Sequence, residues 1–126
     1  MHGKICYIIL PAADIQASAG FYREVFGWRI RTRSDGSVAF DDCAGAVSGA
    51  WTTKRVPMQR APEKNGPMTY IMVDDAEQTI AKIPLHGGAI VQPIGADAPE
   101  ITALFRDPGG NILGIYQNPI ASPLKV

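Results

Sequence analysis

Tyr7, Asp14, Ser18, Gly27 and Ile30 each have a partner 61 positions further on, at Met68, Asp75, Thr79, Gly88 and Val91. Phe40, Asp42, Gly45, Val47 and Gly49 have theirs 65 positions on, at Phe105, Asp107, Gly110, Ile112 and Gly114. A chain that repeats itself at half its length is built from two modules of one plan, the second carrying roughly four extra residues ahead of its last hairpin. Two small sheets of one plan can face each other across a cleft, and the repeat then names the positions that line it.

The element order is the same in both copies. Ile5 to Leu10 is a β-rich run that ends at Pro11, and Asp14 stands where a helix N-cap belongs. Ile15, Ser18, Tyr22, Val25 and Phe26 recur at helical spacing, and Gly27 suits the left-handed C-cap. Short strands follow at about Trp28 to Arg33, Ser37 to Asp41 and Ala46 to Trp51, with turns at Ser34-Asp35-Gly36 and Cys43-Ala44-Gly45. The second copy restarts with a strand from Met68 to Val73 and a helix capped by Asp75, with Ala76, Thr79, Ile80 and Ile83 as its stripe. Pro84 and Gly87-Gly88 stop that helix, Ala89 to Gln92 forms a strand, and a last hairpin turns at Asp107-Pro108-Gly109-Gly110. The predicted class is α+β: one domain over 1–126, with a βαβββ module at 4–51, a second at 68–117 and a linker at 52–67. Pro57, Pro62, Gly66 and Pro67 mark that linker, and the tail from Pro119 is expected to lack regular structure.

Composition narrows the partners. Twelve basic and twelve acidic residues cancel, which argues against nucleic acid and an anionic membrane surface. The apolar stretch from Ile5 to Ala13 is too short to span a bilayer, so a soluble, cytoplasmic protein is expected. Cys6 and Cys43 have neither a metal-site spacing nor a disulfide framework, and buried thiols are expected.

The pair Phe21-Tyr22 followed by Phe26-Gly27-Trp28, together with Phe105-Arg106-Asp107-Pro108-Gly109-Gly110-Asn111, resembles the vicinal oxygen chelate superfamily. That superfamily includes glyoxalase I, extradiol dioxygenases, and fosfomycin and bleomycin resistance proteins. The resemblance runs from Ile5 to Gln117 and implies two βαβββ modules whose curved mixed sheets form a funnel, the glyoxalase/bleomycin resistance fold. Metal-binding members place a histidine on the first strand of a module and a glutamate on its last. The matching positions here are Tyr7 and Met68, and Gly49 and Gly114. None of the four offers imidazole or carboxylate, and His2 and His86 lie at the chain start and in a turn, so no metal and no cofactor are expected.

Strand parity then assigns the funnel lining. With Tyr7 and Met68 inward, Ile5, Ile9, Tyr70 and Met72 share their face, and Val47, Trp51, Ile112 and Tyr116 share that of Gly49 and Gly114. Placing Phe40 opposite Val47 and Phe105 opposite Ile112 adds two rings. The candidate ligand-binding set is Tyr7, Phe40, Trp51, Met68, Tyr70, Phe105 and Tyr116, with tyrosine hydroxyls and the Trp51 indole N–H as polar handles. Glycine at Gly49 and Gly114 either opens space or admits a close neighbour. Arg29, Arg31 and Arg33 alternate along one strand and are placed on the outer, convex face, with an anion-binding patch as the alternative. Asp107 is expected to hold its own turn. The predicted function is metal-independent capture of a small apolar or aromatic molecule, as the resemblance to bleomycin resistance proteins implies. The alternative is a lyase, isomerase or dioxygenase-like enzyme working without the usual ligands, with Tyr7 the candidate for proton transfer and in need of a nearby cation. Open sheet edges suggest a homodimer, and the resemblance allows the modules to pair within one chain or to swap between two.

Overall fold

The computed structural model describes residues 2–58 and 66–119. The tail beyond Pro119 and the middle of the linker therefore lie outside the described residues. The first module comprises β1 (Tyr7–Pro11), α1 (Ile15–Phe26), β2 (Arg29–Thr32), β3 (Val38–Asp41) and β4 (Ser48–Thr52). The second comprises β5 (Tyr70–Val73), α2 (Ala76–Lys82), a 3₁₀ turn at Pro84–His86, β6 (Ala89–Gln92), β7 (Thr102–Arg106) and β8 (Ile112–Gln117). Each module makes one four-stranded mixed sheet, in order β1-β4-β3-β2 and β5-β8-β7-β6, with the first and last strands of each copy parallel.

The helices start and stop where local chemistry directs. The Asp14 carboxylate accepts the Ala17 N–H at 3.1 Å, and Asp75 accepts the Gln78 N–H at the same distance, each satisfying an end donor. Gly27 closes α1 at φ 74°, where a side chain would be strained. Pro84 cannot continue the hydrogen-bond ladder, so α2 has 7 residues against 12 in α1.

One apolar core joins the modules. Phe21, Tyr22 and Val25 of α1 pack with Trp28, Phe40 and Trp51 of their own module and with Phe105 of the other. Tyr22 stacks on Trp28 at 4.5 Å between ring centres, and Trp28 stacks on Phe40 at 4.4 Å. A polar clasp crosses the same boundary: the Tyr22 hydroxyl donates to Asp107 at 2.8 Å, and the Asn111 amide donates to Asp107 and to the Pro11 carbonyl. Asp107 is 2% exposed, and burial pushes its carboxyl above the usual range although Asn111 and Tyr22 donate to it. Burial also raises the Tyr22 hydroxyl, with the charge of Asp107 adding to the effect. Gly109 touches the β1–α1 connection so closely that a Cβ there would lie 2.6 Å from the Pro11 carbonyl oxygen.

The two cysteines differ from expectation: both are exposed free thiols. Cys6 precedes the first paired residue of β1, and Cys43 sits in the turn after β3, where its thiol donates to the Phe26 carbonyl at 3.0 Å.

Candidate binding site

The parity reading fails by one residue on β4, where the first hairpin is the longer, and holds on β8, where Ile112, Gly114 and Tyr116 share the face of Tyr70 and Met72. Asp42 N–H bonds the Val47 carbonyl five positions on, whereas Asp107 N–H bonds the Asn111 carbonyl four positions on. The extra residue shifts β4 against β8, so Gly49 pairs with Phe40 and corresponds to Leu113, while Gly114 corresponds to Ala50. A one-residue shift turns every side chain to the opposite face.

The predicted site residues therefore divide. Phe40, Trp51 and Phe105 are in the core on the helix side, at 1%, 3% and 1% exposure, and of the three only Phe40 borders a cavity. Phe40 lies opposite Gly49, not Val47, and Phe105 lies opposite Leu113, not Ile112. The Trp51 indole N–H is buried without a hydrogen-bond partner among the described residues, so it is no handle for a ligand. Tyr7, Tyr70 and Tyr116 do lie on the side away from the helices, with Tyr7 and Tyr70 exposed and Tyr116 half-buried. Met68 is half-buried just ahead of β5 and lines a shallower hollow of about 440 Å³ with Ile9, Ile112 and linker residues. The glycines leave no free space: the Phe40 ring lies over Gly49 and the Tyr70 ring over Gly114.

The arginine strand is likewise on the face of Tyr7. Arg29 and Arg31 pair with Asp41 and Ala39, which share the open side with Ser48 and Ala50. Arg31 binds Asp41 through two hydrogen bonds of 2.7 and 3.1 Å, and Ser48 adds a third at 2.6 Å. The Arg31 guanidinium holds the Asp41 carboxyl down at about 2, with help from the Ser48 hydroxyl. Arg33 reaches across the sheet, donates to the Tyr7 hydroxyl and lies 5.9 Å from the ring centre. This is the cation that Tyr7 lacked in sequence, hidden because β1 and β2 are opposite edges of the sheet and far apart in the chain.

A cavity of about 530 Å³ lies between the modules on the helix side. Ile8, Val25, Phe26, Trp28 and Phe40 line it from one module, and Thr69 to Asp75 with Gln78, Thr79 and Lys82 from the other. Its volume falls within the range of small-molecule sites, and its lining is mostly apolar with a polar mouth. Of the seven candidate ligand-binding residues it contains Phe40 and Tyr70, and of the wider predicted lining Val47 and Met72. Trp28 and Phe26 were missed as lining, although both belong to the Phe26-Gly27-Trp28 motif.

The Glyoxalase-like domain family matches residues 7–115. The chain belongs to the glyoxalase-like domain family. It thereby falls within the vicinal oxygen chelate superfamily, and its α+β fold of two tandem modules is that of the glyoxalase/bleomycin resistance proteins. A glyoxylase-like domain-containing protein of Didymella fabae is 28% identical over 134 residues, covering 94% of this chain and 97% of that protein. Among solved structures, a glyoxalase/bleomycin resistance protein from Albidiferax ferrireducens T118 superposes with TM-score 0.68 at 17% identity, covering 91% of this chain and 98% of that one. TnmS3, an antibiotic binding protein from Streptomyces sp. CB03234, superposes with TM-score 0.67 at 18% identity, covering 93% and 98%. Identities this low establish the shared fold.

Glyoxalase-like folds commonly carry a divalent metal on the open faces, and the donors here do not fit one. The positions on those faces are Tyr7, Ala50, Met68 and Gly114, with Ala50 where Gly49 was expected. No group of three His, Cys, Asp or Glu side chains among the described residues could hold an ion.

Proposed function

We propose that this glyoxalase-like protein captures a small apolar or aromatic molecule, without a metal, in the cavity between its two modules. The observation that carries this reading is the 530 Å³ space walled by Trp28, Phe40, Phe26 and Ile8 on one side and by Ile71 and Val73 on the other. Antibiotic binding by a protein of the same fold is compatible with that use of the scaffold. Titration with 1-ethylnaphthalene, followed by methyl NMR, tests it. Shifts at Ile8, Val25 and Val47 with Ile5 and Ile9 unmoved support the cavity, and shifts confined to Ile5 and Ile9 transfer the site to the open face. Chelator treatment is expected to leave the affinity unchanged.

A second reading, a metal-free lyase or isomerase, draws on the Arg33–Tyr7 pair. Arg33 occupies a lone pair of the Tyr7 oxygen and leaves its O–H proton for a substrate. Turnover that disappears in Tyr7→Phe and survives chelation would select this reading over capture.

The open faces also support self-association. Ile5, Ile9, Tyr70 and Met72 are exposed there, an apolar surface that a second copy of the chain would cover.

A further inference from the structure

The modules meet at two junctions related by the internal repeat, and one is filled while the other is hollow. At the filled junction the Phe21 ring of α1 lies 5.8 Å from the Phe105 ring of β7, and the Tyr22 hydroxyl donates to Asp107. The repeat carries Phe21 to Lys82, Tyr22 to Ile83, Phe105 to Phe40 and Asp107 to Asp42. Lys82, Phe40 and Asp42 all line the cavity. The ring and the hydroxyl that close one junction have no counterpart at the other, because α2 offers an amine stem and an aliphatic side chain at those positions.

The two aspartates show the same contrast in their partners. Each holds its turn by accepting a backbone N–H four residues on, Ala46 for Asp42 and Asn111 for Asp107, both at 2.9 Å. Asp107 also receives the Tyr22 hydroxyl and the Asn111 amide. Ala46 and Val47, which share the place of Asn111, carry no amide, and no described side chain donates to Asp42. The mouth of the cavity holds Asp42, Asp74 and Asp75 against one cation, Lys82, which makes no ion pair with a described carboxylate.

We propose that the ligand of this cavity is an aromatic ammonium compound that completes the hollow junction. Its ring takes the place of Phe21 and packs on Phe40, and its protonated amine donates to Asp42 where Tyr22 donates to Asp107. Charge-assisted donation to a carboxylate is stronger than a neutral hydrogen bond, and the acidic mouth favours a cation over an anion. This rests on the capture reading above and specifies its ligand class.

The test compares 2-(1-naphthyl)ethylamine with 1-ethylnaphthalene, the same ring without a donor, by calorimetric titration of the full chain and two variants. Asp42→Asn keeps a side-chain oxygen for the Ala46 N–H and removes the charge. Lys82→Phe restores the missing ring on an exposed position. The amine should bind at least about tenfold tighter than the hydrocarbon, close to one hydrogen bond to a charged group. That preference should vanish in Asp42→Asn while hydrocarbon binding persists. Lys82→Phe should abolish both and melt no lower than the parent, which separates a filled cavity from a damaged fold. Hydrocarbon binding with no amine preference, or a preference that survives Asp42→Asn, overturns the proposal and leaves the capture reading standing. Binding of both probes undiminished in Lys82→Phe overturns the location, and binding of neither probe overturns both readings.

Discussion

At the residue scale, the two strand glycines look alike in sequence and differ in what they touch. A Cβ on Gly49 would lie 2.1 Å from the Ile8 carbonyl oxygen and 2.3 Å from the Phe40 ring, and neither the parallel ladder nor the core ring can yield. A Cβ on Gly114 would meet the Tyr70 ring at 2.4 Å, but that ring is exposed and free to swing. Gly49→Ala is therefore expected to cost about 2–3 kcal/mol and Gly114→Ala less than ~1 kcal/mol, as urea midpoints would report. Asp107 gives a pH signature. Its folded-state pKa is raised above the ordinary 3.8, so its contribution to stability is intact below that value and is lost as pH rises through the folded pKa. Asp107→Asn keeps an acceptor for Tyr22 and removes the titration. Its stability relative to the parent should improve as pH rises from about 4 to 7, by the same linkage, and a difference flat across that range would refute the role given to burial. The hairpin role expected for Asp107 was visible in sequence, since Asp-Pro-Gly-Gly is a turn signature. Its bond to Tyr22, 85 positions away, was not, because nothing local records a long-range partner.

At the element scale, one residue in a turn decides which side chains a strand buries. The hairpin between β3 and β4 is a residue longer than that between β7 and β8, and this sets Gly49 and Trp51 one position out of step with Gly114 and Tyr116 in the repeat. Deleting Ala44 would bring Phe40 and Gly49 to the eight-position separation of Phe105 and Leu113, so the hairpins would match and Gly49 and Trp51 would keep their side of the sheet. A cooperative thermal transition is the expected result, and its loss would show that the longer turn is itself needed for the pairing. The lengths of the helices follow the same logic. Pro84 ends α2 early, and β5 and α2 are joined by Asp74 and the cap Asp75, where β1 and α1 are joined by Ala12, Ala13 and the cap Asp14. A shorter helix bearing Lys82 in place of Phe21 leaves the modules apart on that side, and the cavity is the consequence.

At the scale of the whole molecule, an apolar surface stays open among the described residues. Ile9, Tyr70 and Met72 are 51%, 46% and 59% exposed, on sheet faces that no described helix covers. A monomer rarely keeps so many large apolar groups in water on one side. Sedimentation velocity is expected to show a dimer for the parent and a shift toward monomer for Ile9→Arg, with the cavity and its ligand affinity unaffected. A parent that sediments as a monomer at tens of micromolar would remove self-association from the account.

The sequence by itself determined the module plan, the strand and helix order, the caps at Asp14, Gly27 and Asp75, and that Tyr7, Met68, Gly49 and Gly114 carry neither imidazole nor carboxylate. These depend on periodicity, turn chemistry and residue identity, which act over a few neighbours. The tertiary structure alone decided which faces Phe40, Trp51 and Phe105 occupy, because strand register depends on a turn length that composition does not reveal. It also decided that Arg33 meets Tyr7, that Tyr22 meets Asp107, and that one of two repeated junctions stays open. Each of these depends on how two similar modules settle against one another, and that is set by unequal helix lengths and by side-chain volumes summed across the interface.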